Sequence, residues 1–152
     1  MVIARELPSM RGGELDELFA NAPAGDVPVG QGSGQVLMAT GTVAARPLLA
    51  TARLFAWRGK QFDASSHTLR NLISPFGVKA ITADVYVEAS LLDGRPCIVL
   101  DYSKTSRVAG WVRDEIREIG PGIYLGLVYA RTRRPPIRFS LEVDTGVYGS
   151  SV

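Results

Sequence analysis

The residues with the clearest capacity for chemistry lie in one short segment, "RDEIREIG", at positions 113–120. Charged side chains surround two isoleucines there, directly before a run that is almost wholly apolar. Such groups can donate or accept protons, because a desolvated carboxylate has a raised pKa. If the segment is a strand, Glu115 and Arg117 share one face and Asp114 lies on the other. We therefore expect charges to enter the core whichever way the strand turns.

Two further polar groups could join this segment in the folded chain. Tyr124 stands across the predicted hairpin, and Asp101 ends an earlier strand. A tyrosine hydroxyl can polarise a carbonyl, and an arginine can hold two carboxylate oxygens at once, so we expect Arg117 to pair with Glu115 or Asp101. A structural ion-pair network at the rim of the fold is the alternative, since such networks also perturb pKa values. The predicted catalytic residues are Asp101, Asp114, Glu115, Arg117 and Tyr124.

Aromatic residues flank these polar positions and would suit an apolar ligand. Each of them also fits an ordinary core, because aromatic side chains are mostly buried on average. The predicted substrate-binding residues are Phe55, Trp57, Tyr102 and Trp111.

Chemistry that depends on a metal, a cofactor or a nucleophile has few candidate residues. The chain has one histidine, His67, and one cysteine, Cys97, and their spacing is not that of a metal pair. Gly30, Gly32 and Gly34 do not form G-x-G-x-x-G, and neither a P-loop nor G-x-S-x-G is present. These glycines instead leave one face of a strand bare, which a helix or a ligand could approach closely. We expect no cofactor and no metal.

Strands are the main elements that must position these groups. Asp93-Gly94 is a strong hairpin signal, and the turn at 120–122 is another. Sequential antiparallel strands, seven or eight in number, close most naturally into a barrel, with a two-sheet sandwich as the alternative. The clearest predicted strands cover residues 81–88, 95–102, 114–119, 123–130 and 137–143.

Helical periodicity is confined to the first part of the chain. Leu15, Leu18 and Phe19 fall on one helical stripe, which predicts an amphipathic helix over 14–21. A second helical pattern covers 42–57, before the chain changes to strands. The fold class predicted is therefore mainly β, an antiparallel barrel with one or two short N-terminal helical segments.

The bulk composition is that of one globular domain. With 46 % apolar and 21 % charged residues, 152 positions can bury a core. We predict a single barrel domain over 1–152, with a helical segment at 1–26 and a flexible tail at 144–152. A net charge of +2 argues against a nucleic-acid partner, and no apolar run has the length of a membrane helix. The single cysteine and the lack of a secretory signal indicate the cytoplasm, and the oligomeric state is left open, a homodimer included.

Three segments of the chain resemble those of a known group of barrels. The stretches "AWRGKQFD", "LLDGRPCIVLDYSKTS" and "RDEIREIGPGIYLGLVYAR" are similar to small bacterial lipocalin-like proteins of calycin type, over roughly residues 54–143. The resemblance implies an antiparallel barrel with an interior the size of a ligand. Such barrels serve as carriers, isomerases, cyclases and haem pockets. This chain departs from secreted lipocalins, because it has no signal peptide and no cysteine pair.

The sequence thus predicts binding of a bulky apolar small molecule, such as a polyketide, a terpenoid or a fatty-acid derivative. Residues for redox, metal or phosphate chemistry are lacking, whereas shape and a few polar groups suffice for a cofactor-free cyclisation or isomerisation in biosynthesis. A non-catalytic carrier or sensor of a hydrophobic ligand is the alternative. A structural partner protein with a filled barrel is the third reading.

Overall fold

Eight strands and two short helical segments make up the part of the chain that the computed structural model describes. That part comprises residues 4–39, 57–63, 67–73, 78–104, 111–131, 135 and 137–143. The elements are a 3₁₀ helix at Ala4–Ser9, α1 at Gly12–Asn21, β1 at Gly30–Ala39, β2 at Trp57–Asp63, β3 at Thr68–Ile73, β4 at Val78–Ala89, β5 at Pro96–Asp101, β6 at Val112–Gly120, β7 at Ile123–Ala130 and β8 at Ile137–Val143.

The strands form a closed antiparallel barrel. Each strand pairs with the next along the chain, and β8 returns to pair with β1. In that closing pair Gly32 lies opposite Val143, and Ala39 lies opposite Ile137. The prediction of a mainly β fold, a barrel of seven or eight antiparallel strands, is confirmed. Closure excludes the two-sheet sandwich, because a sandwich keeps open edges.

The hairpin predicted at Asp93-Gly94 joins β4 to β5. Tyr86 lies opposite Val99, so the register agrees with the predicted pairing of 81–88 with 95–102. The connection is longer than a two-residue turn, because strand pairing ends at Ala89 and Pro96. Gly94 adopts a φ of +73°, a left-handed conformation that glycine enters without steric cost.

The inward-facing side chains of the strands form the barrel core, which we call the inner cluster. Its buried members are Phe62, Ala83, Val85, Ile98, Leu100, Tyr102, Val112, Ile116, Tyr124, Phe139 and Leu141. Gly126 lies opposite Phe139, and a Cβ atom at this glycine would overlap the phenyl ring. The glycine therefore leaves room for the end of the Phe139 ring on the inside of β7.

At Gly32 the bare strand face predicted for the β1 glycines is covered by the neighbouring strand, whereas nothing lies within 4 Å of a Cβ atom built on Gly30. A Cβ atom on Gly32 would lie 2.7 Å from Cδ1 of Leu141 and 3.2 Å from Cγ2 of Val143. Two β8 side chains thus occupy the space that we expected a helix or a ligand to approach.

Helix α1 covers the outside of the barrel, as the stripe of apolar residues predicts. Leu15 and Phe19 are fully buried against a second apolar group, the outer cluster. The helix begins two residues before the predicted start, with the Glu14 carboxylate accepting the backbone N–H of Arg11 at 2.7 Å. The other buried members of the outer cluster are Leu7, Cys97, Val99, Leu125, Leu127 and Tyr129.

Some predictions fall on residues outside the described ranges. The first is the second predicted helix, because Trp57 is the only residue of its span, 42–57, that is described. The others are the substrate-binding residue Phe55, which lies in the same span, and the tail at 144–152. Among the helices that the structure describes, none has the length and apolar character needed to cross a membrane.

Candidate functional site

Strand β6 carries the charged segment and divides its side chains between the two sides of the barrel wall. Asp114 lies on the inner side with Ile116, whereas Glu115 and Arg117 lie on the outer side, where Arg117 contacts α1. All three charged residues are buried: 4 % of Asp114 is exposed and none of Glu115 or Arg117. The strand predicted at 114–119 is therefore present, and its charges enter the protein on both faces.

The Arg117 guanidinium is fully engaged by protein acceptors. It donates to both carboxylate oxygens of Asp93 at 2.7 Å and to the backbone oxygen of Phe19 at 2.9 Å. It also donates to the backbone oxygens of Arg95 and Pro96, each at 3.1 Å. These bonds use all five guanidinium N–H groups. The charge also lies 4.5 Å from the centre of the Phe19 ring, so Arg117 ties α1 to the β4–β5 connection.

Glu115 is held in the same way on the outer wall. Its carboxylate accepts the Ser90 hydroxyl at 2.5 Å and the Leu91 backbone N–H at 2.8 Å. Arg113 completes the set, with Nε at 3.1 Å and Nη2 at 3.0 Å. The sequence suggested Glu115 or Asp101 as the partner of Arg117, but the structure pairs Arg117 with Asp93 and Glu115 with Arg113.

Asp101 also lies on the outer wall, at its edge. Its carboxylate accepts the Tyr86 hydroxyl at 2.8 Å and the Ser103 backbone N–H at 2.9 Å. Burial and the hydrogen bond to Asp101 raise the pKa of Tyr86 to about 12. Asp101 is thus separated by the barrel wall from the inward-facing residues.

Tyr102 and Asp114 meet inside the barrel. The Tyr102 hydroxyl donates to Oδ2 of Asp114 at 3.1 Å, and both residues are almost fully buried. Trp111 and Val128 are half-buried and pack against the inner cluster, with Val128 directly opposite Asp114 across the β6–β7 pair. Of the predicted site residues, the structure therefore brings together Tyr102, Asp114 and Trp111 at one end of the inner cluster.

Tyr124 faces the interior too, but near the opposite end. Its hydroxyl donates to the Asp26 backbone oxygen at 2.5 Å, and burial raises the pKa of Tyr124 to about 12. Glu118, which lies opposite Tyr124, accepts the Asp26 backbone N–H at 3.2 Å. Asp114 is four residues from Glu118 along β6, about 13 Å at the rise of a strand. The chain between α1 and β1 therefore caps the end that holds Tyr124, away from Asp114.

The middle of the interior is tightly packed, whereas some side chains towards Asp114 are partly exposed. Ile98, Ile116 and Leu141 have no exposed surface. By contrast, 36 % of Val36 is exposed although it lies opposite the inward-facing Phe139, and Val128 is only half-buried. Within the described part of the chain, the half of the barrel that contains Tyr102 and Asp114 thus has apolar side chains that are partly exposed, and we call it the open half.

The two other predicted substrate-binding residues are Phe55 and Trp57. Phe55 lies outside the described residues. The backbone of Trp57 begins β2, opposite Ile73.

Several residues that organise the site were not recognised from the sequence. Asp93 was read only as a turn residue, although it is the acidic partner of Arg117. Arg138 is also buried and holds Asp16 of α1 through bonds of 2.9 and 2.8 Å. No local signal marks that pair, because 122 residues separate its members.

Metal ligation has no support in the described part of the chain, where no group of three or more His, Cys, Asp or Glu residues could hold an ion.

Comparison with known proteins adds a statement about the fold. No family model matches the chain, and no curated protein matches it. A solved structure, described as "Crystal structure of protein from Thermomonospora curvata", is similar with a TM-score of 0.64 and 20 % sequence identity. The similarity covers 93 % of this chain and 95 % of that one. At this identity the likeness extends to the barrel-like fold and not to an activity.

Proposed function

We propose that the open half of the barrel binds a bulky apolar small molecule and catalyses its cyclisation or isomerisation without a cofactor. A polyketide, a terpenoid or a fatty-acid derivative would fit. The observation that carries this proposal is the buried Tyr102–Asp114 hydrogen bond of 3.1 Å beside the apolar residues of the inner cluster. A few convergent polar groups in an apolar cavity are what ligand sites use to orient a substrate.

The topology supports kinship with the lipocalin-like, calycin-type barrels. Eight antiparallel strands, each paired with its successor and closed from β8 to β1, are the architecture of that group. A barrel of this strand number has an interior that holds side chains or one small ligand. The location in the cytoplasm and the lack of nucleic-acid and membrane partners stay predictions from composition.

The proposed chemistry is a proton transfer within one substrate. Asp114 removes a proton from a carbon next to a substrate carbonyl and returns it to a different carbon, so that the double bond moves and no electrons are lost. Tyr102 positions the carboxylate by its hydrogen bond and can donate to the developing oxyanion instead. In a cyclisation the same carbanion attacks a second carbonyl of the bound chain, and its oxygen takes up the proton.

Occupancy of the open half is tested with a neutral naphthalene dye whose fluorescence rises in apolar surroundings. Val128→Trp places a large side chain opposite Asp114 and should weaken dye binding by at least about tenfold. Val29→Trp is the matched control, because Val29 is exposed and lies just before β1 at the capped end. Equal dye affinities in the two variants would place the dye outside the barrel.

Turnover separates an enzyme from a carrier. A panel of polyketides, terpenoids and fatty-acid derivatives is incubated with the protein, and products are sought by chromatography with mass spectrometry. Isomerisation changes retention at unchanged mass. Asp114→Asn should abolish conversion and keep binding, since the amide cannot act as the base. Ligands that bind but are never converted would favour the alternative function, a carrier or sensor of a hydrophobic molecule.

A further inference from the structure

A second polar site lies on the other side of the barrel wall, between α1 and strands β7 and β8. Arg138 uses Nε and Nη2 to hold the two oxygens of Asp16. Its remaining nitrogen, Nη1, is buried and has no hydrogen-bond partner, and the same is true of the Tyr129 hydroxyl. Within the described part of the chain these are the two buried side-chain polar atoms without a partner. Only 7 % of Arg138 and 2 % of Tyr129 are exposed.

The two unpartnered groups are neighbours on one face of the sheet. Arg138 lies opposite Leu127 in the β7–β8 pair, and Tyr129 is two residues further along β7 on the same face. Diagonal neighbours of this kind are about 7–8 Å apart at the backbone, within reach of each other's long side chains. Tyr129 belongs to the outer cluster beneath α1, the helix whose Asp16 holds Arg138. Both groups therefore face the interface between the helix and the barrel wall.

Buried groups of this strength rarely stay unsatisfied in folded proteins. The great majority of them bond to protein or to ordered water. A donor that is buried without a partner loses its hydrogen bonds to water and gains none in exchange, which destabilises the folded state. Because these two groups do not bond to each other although their side chains are within reach, one oxygen atom can bridge them. A water molecule satisfies such a pair when it has two to four polar partners.

The surrounding charges indicate whether the oxygen atom between them belongs to an anion or to a neutral molecule. Arg138 is neutralised by Asp16, and Glu115 is neutralised by Arg113. The Glu115 and Asp16 carboxylates both act on Tyr129 and, after burial itself, are the next causes that raise its pKa. An anion would meet two carboxylates there, and a cation would meet the Arg138 guanidinium. A neutral acceptor is the species that this balance favours.

We propose that one buried water molecule lies between α1 and the barrel wall, accepts a hydrogen bond from Nη1 of Arg138 and is hydrogen-bonded to the Tyr129 hydroxyl. This site is independent of the proposed function, because it faces away from the interior that contains Tyr102 and Asp114.

The test is a crystal structure of the full chain at a resolution that shows ordered solvent. The expected result is one density peak about 2.7–3.2 Å from both Arg138 Nη1 and the Tyr129 oxygen. Crystals soaked in sodium bromide should show no anomalous peak there. An empty site, a peak that contacts only one of the two atoms, or a bromide peak would each overturn the proposal.

A variant pair adds a second readout. Tyr129→Phe removes one of the two water ligands, so the density peak should be lost. Tyr86→Phe removes a hydroxyl from the outer wall at a distant, exposed position and should leave the peak unchanged. Persistence of the peak in Tyr129→Phe would show that the hydroxyl does not bind the water. The wild-type crystal decides the question by itself should Tyr129→Phe fail to fold.

Discussion

Arg117 and Asp93 form a two-pronged ion pair, with two hydrogen bonds of 2.7 Å, across 24 residues of sequence. One partner is in the middle of β6 and the other is in the β4–β5 connection. The pair therefore joins two elements of the fold that are not neighbours in sequence. It stabilises the connection against the strand, and the Phe19 backbone oxygen brings the end of α1 to the same guanidinium.

Replacing Arg117 by methionine should strongly destabilise the protein. The change leaves the Asp93 carboxylate and three backbone oxygens without the fully buried guanidinium that binds them, and losing several such charge-assisted hydrogen bonds costs about 3–5 kcal/mol. The measurement is the free energy of unfolding from a urea melt. Arg5→Met is the matched control, since Arg5 is exposed, and it should change that free energy by less than about 0.5 kcal/mol. An equally small effect at Arg117 would mean that the pair contributes little.

Acid should weaken the same ion pair. The hydrogen bond from Arg117 lowers the pKa of Asp93 below its ordinary value of 3.8. A lowered folded-state pKa means that the stabilisation is fully present above 3.8 and is lost as the pH falls through the folded-state value. Urea melts of wild type and Asp93→Asn should therefore differ by a constant amount above about pH 5 and converge in stronger acid. A difference that grows as the pH falls would contradict this sign.

Two tyrosine–aspartate hydrogen bonds offer a comparison between buried and exposed sites. Tyr102→Phe removes a donor from the buried Asp114 carboxylate and should cost about 1–3 kcal/mol. Tyr86→Phe removes the donor from Asp101 at the surface and should cost less than about 0.5 kcal/mol, although that bond is shorter, at 2.8 Å. Water can replace the lost partner only at the surface. Equal losses in the two urea melts would show that burial does not set the cost.

Adding one methyl group inside the barrel should be destabilising. In Gly126→Ala the new Cβ atom overlaps the Phe139 ring, and overpacking of this kind costs about 1–3 kcal/mol. Gly13→Ala in α1 is the control, because no atom lies within 4 Å of its new Cβ. It should be neutral or stabilise by up to about 1 kcal/mol, since alanine favours the helix. Adding Phe139→Leu to Gly126→Ala should recover part of the lost free energy of unfolding. If it does not, the Phe139 ring is not the cause of the destabilisation.

The strands and their order follow from local patterns in the sequence. The alternation over 81–88 and the apolar runs at 123–130 and 137–143 predict strands that the structure places at or within two or three residues of the same bounds. Turn residues predict the reversals, because Gly94 and Gly122 supply the positive φ that these turns need. Sequential hairpins of this number then leave little choice except closure.

The sequence could not decide what each face of β6 meets. A period of two assigns Asp114 to one face and Glu115 with Arg117 to the other, but it does not say which face is inside. Because α1 covers the outer wall, both faces are buried, and the usual contrast between an apolar and a polar face disappears. The partners Asp93 and Ser90 come from a connection placed by the register of β4 and β5.

The sequence by itself therefore determined the mainly β class, the strand segments and the amphipathic helix, since these depend on contacts and dihedral preferences within a few residues. Only the tertiary structure decided that Tyr102 and Asp114 meet inside the barrel, and that Glu115 and Arg117 serve the outer wall. Those outcomes depend on strand register, on closure and on where α1 docks. Each of these is set by packing between residues far apart in the chain, which no short window of sequence records.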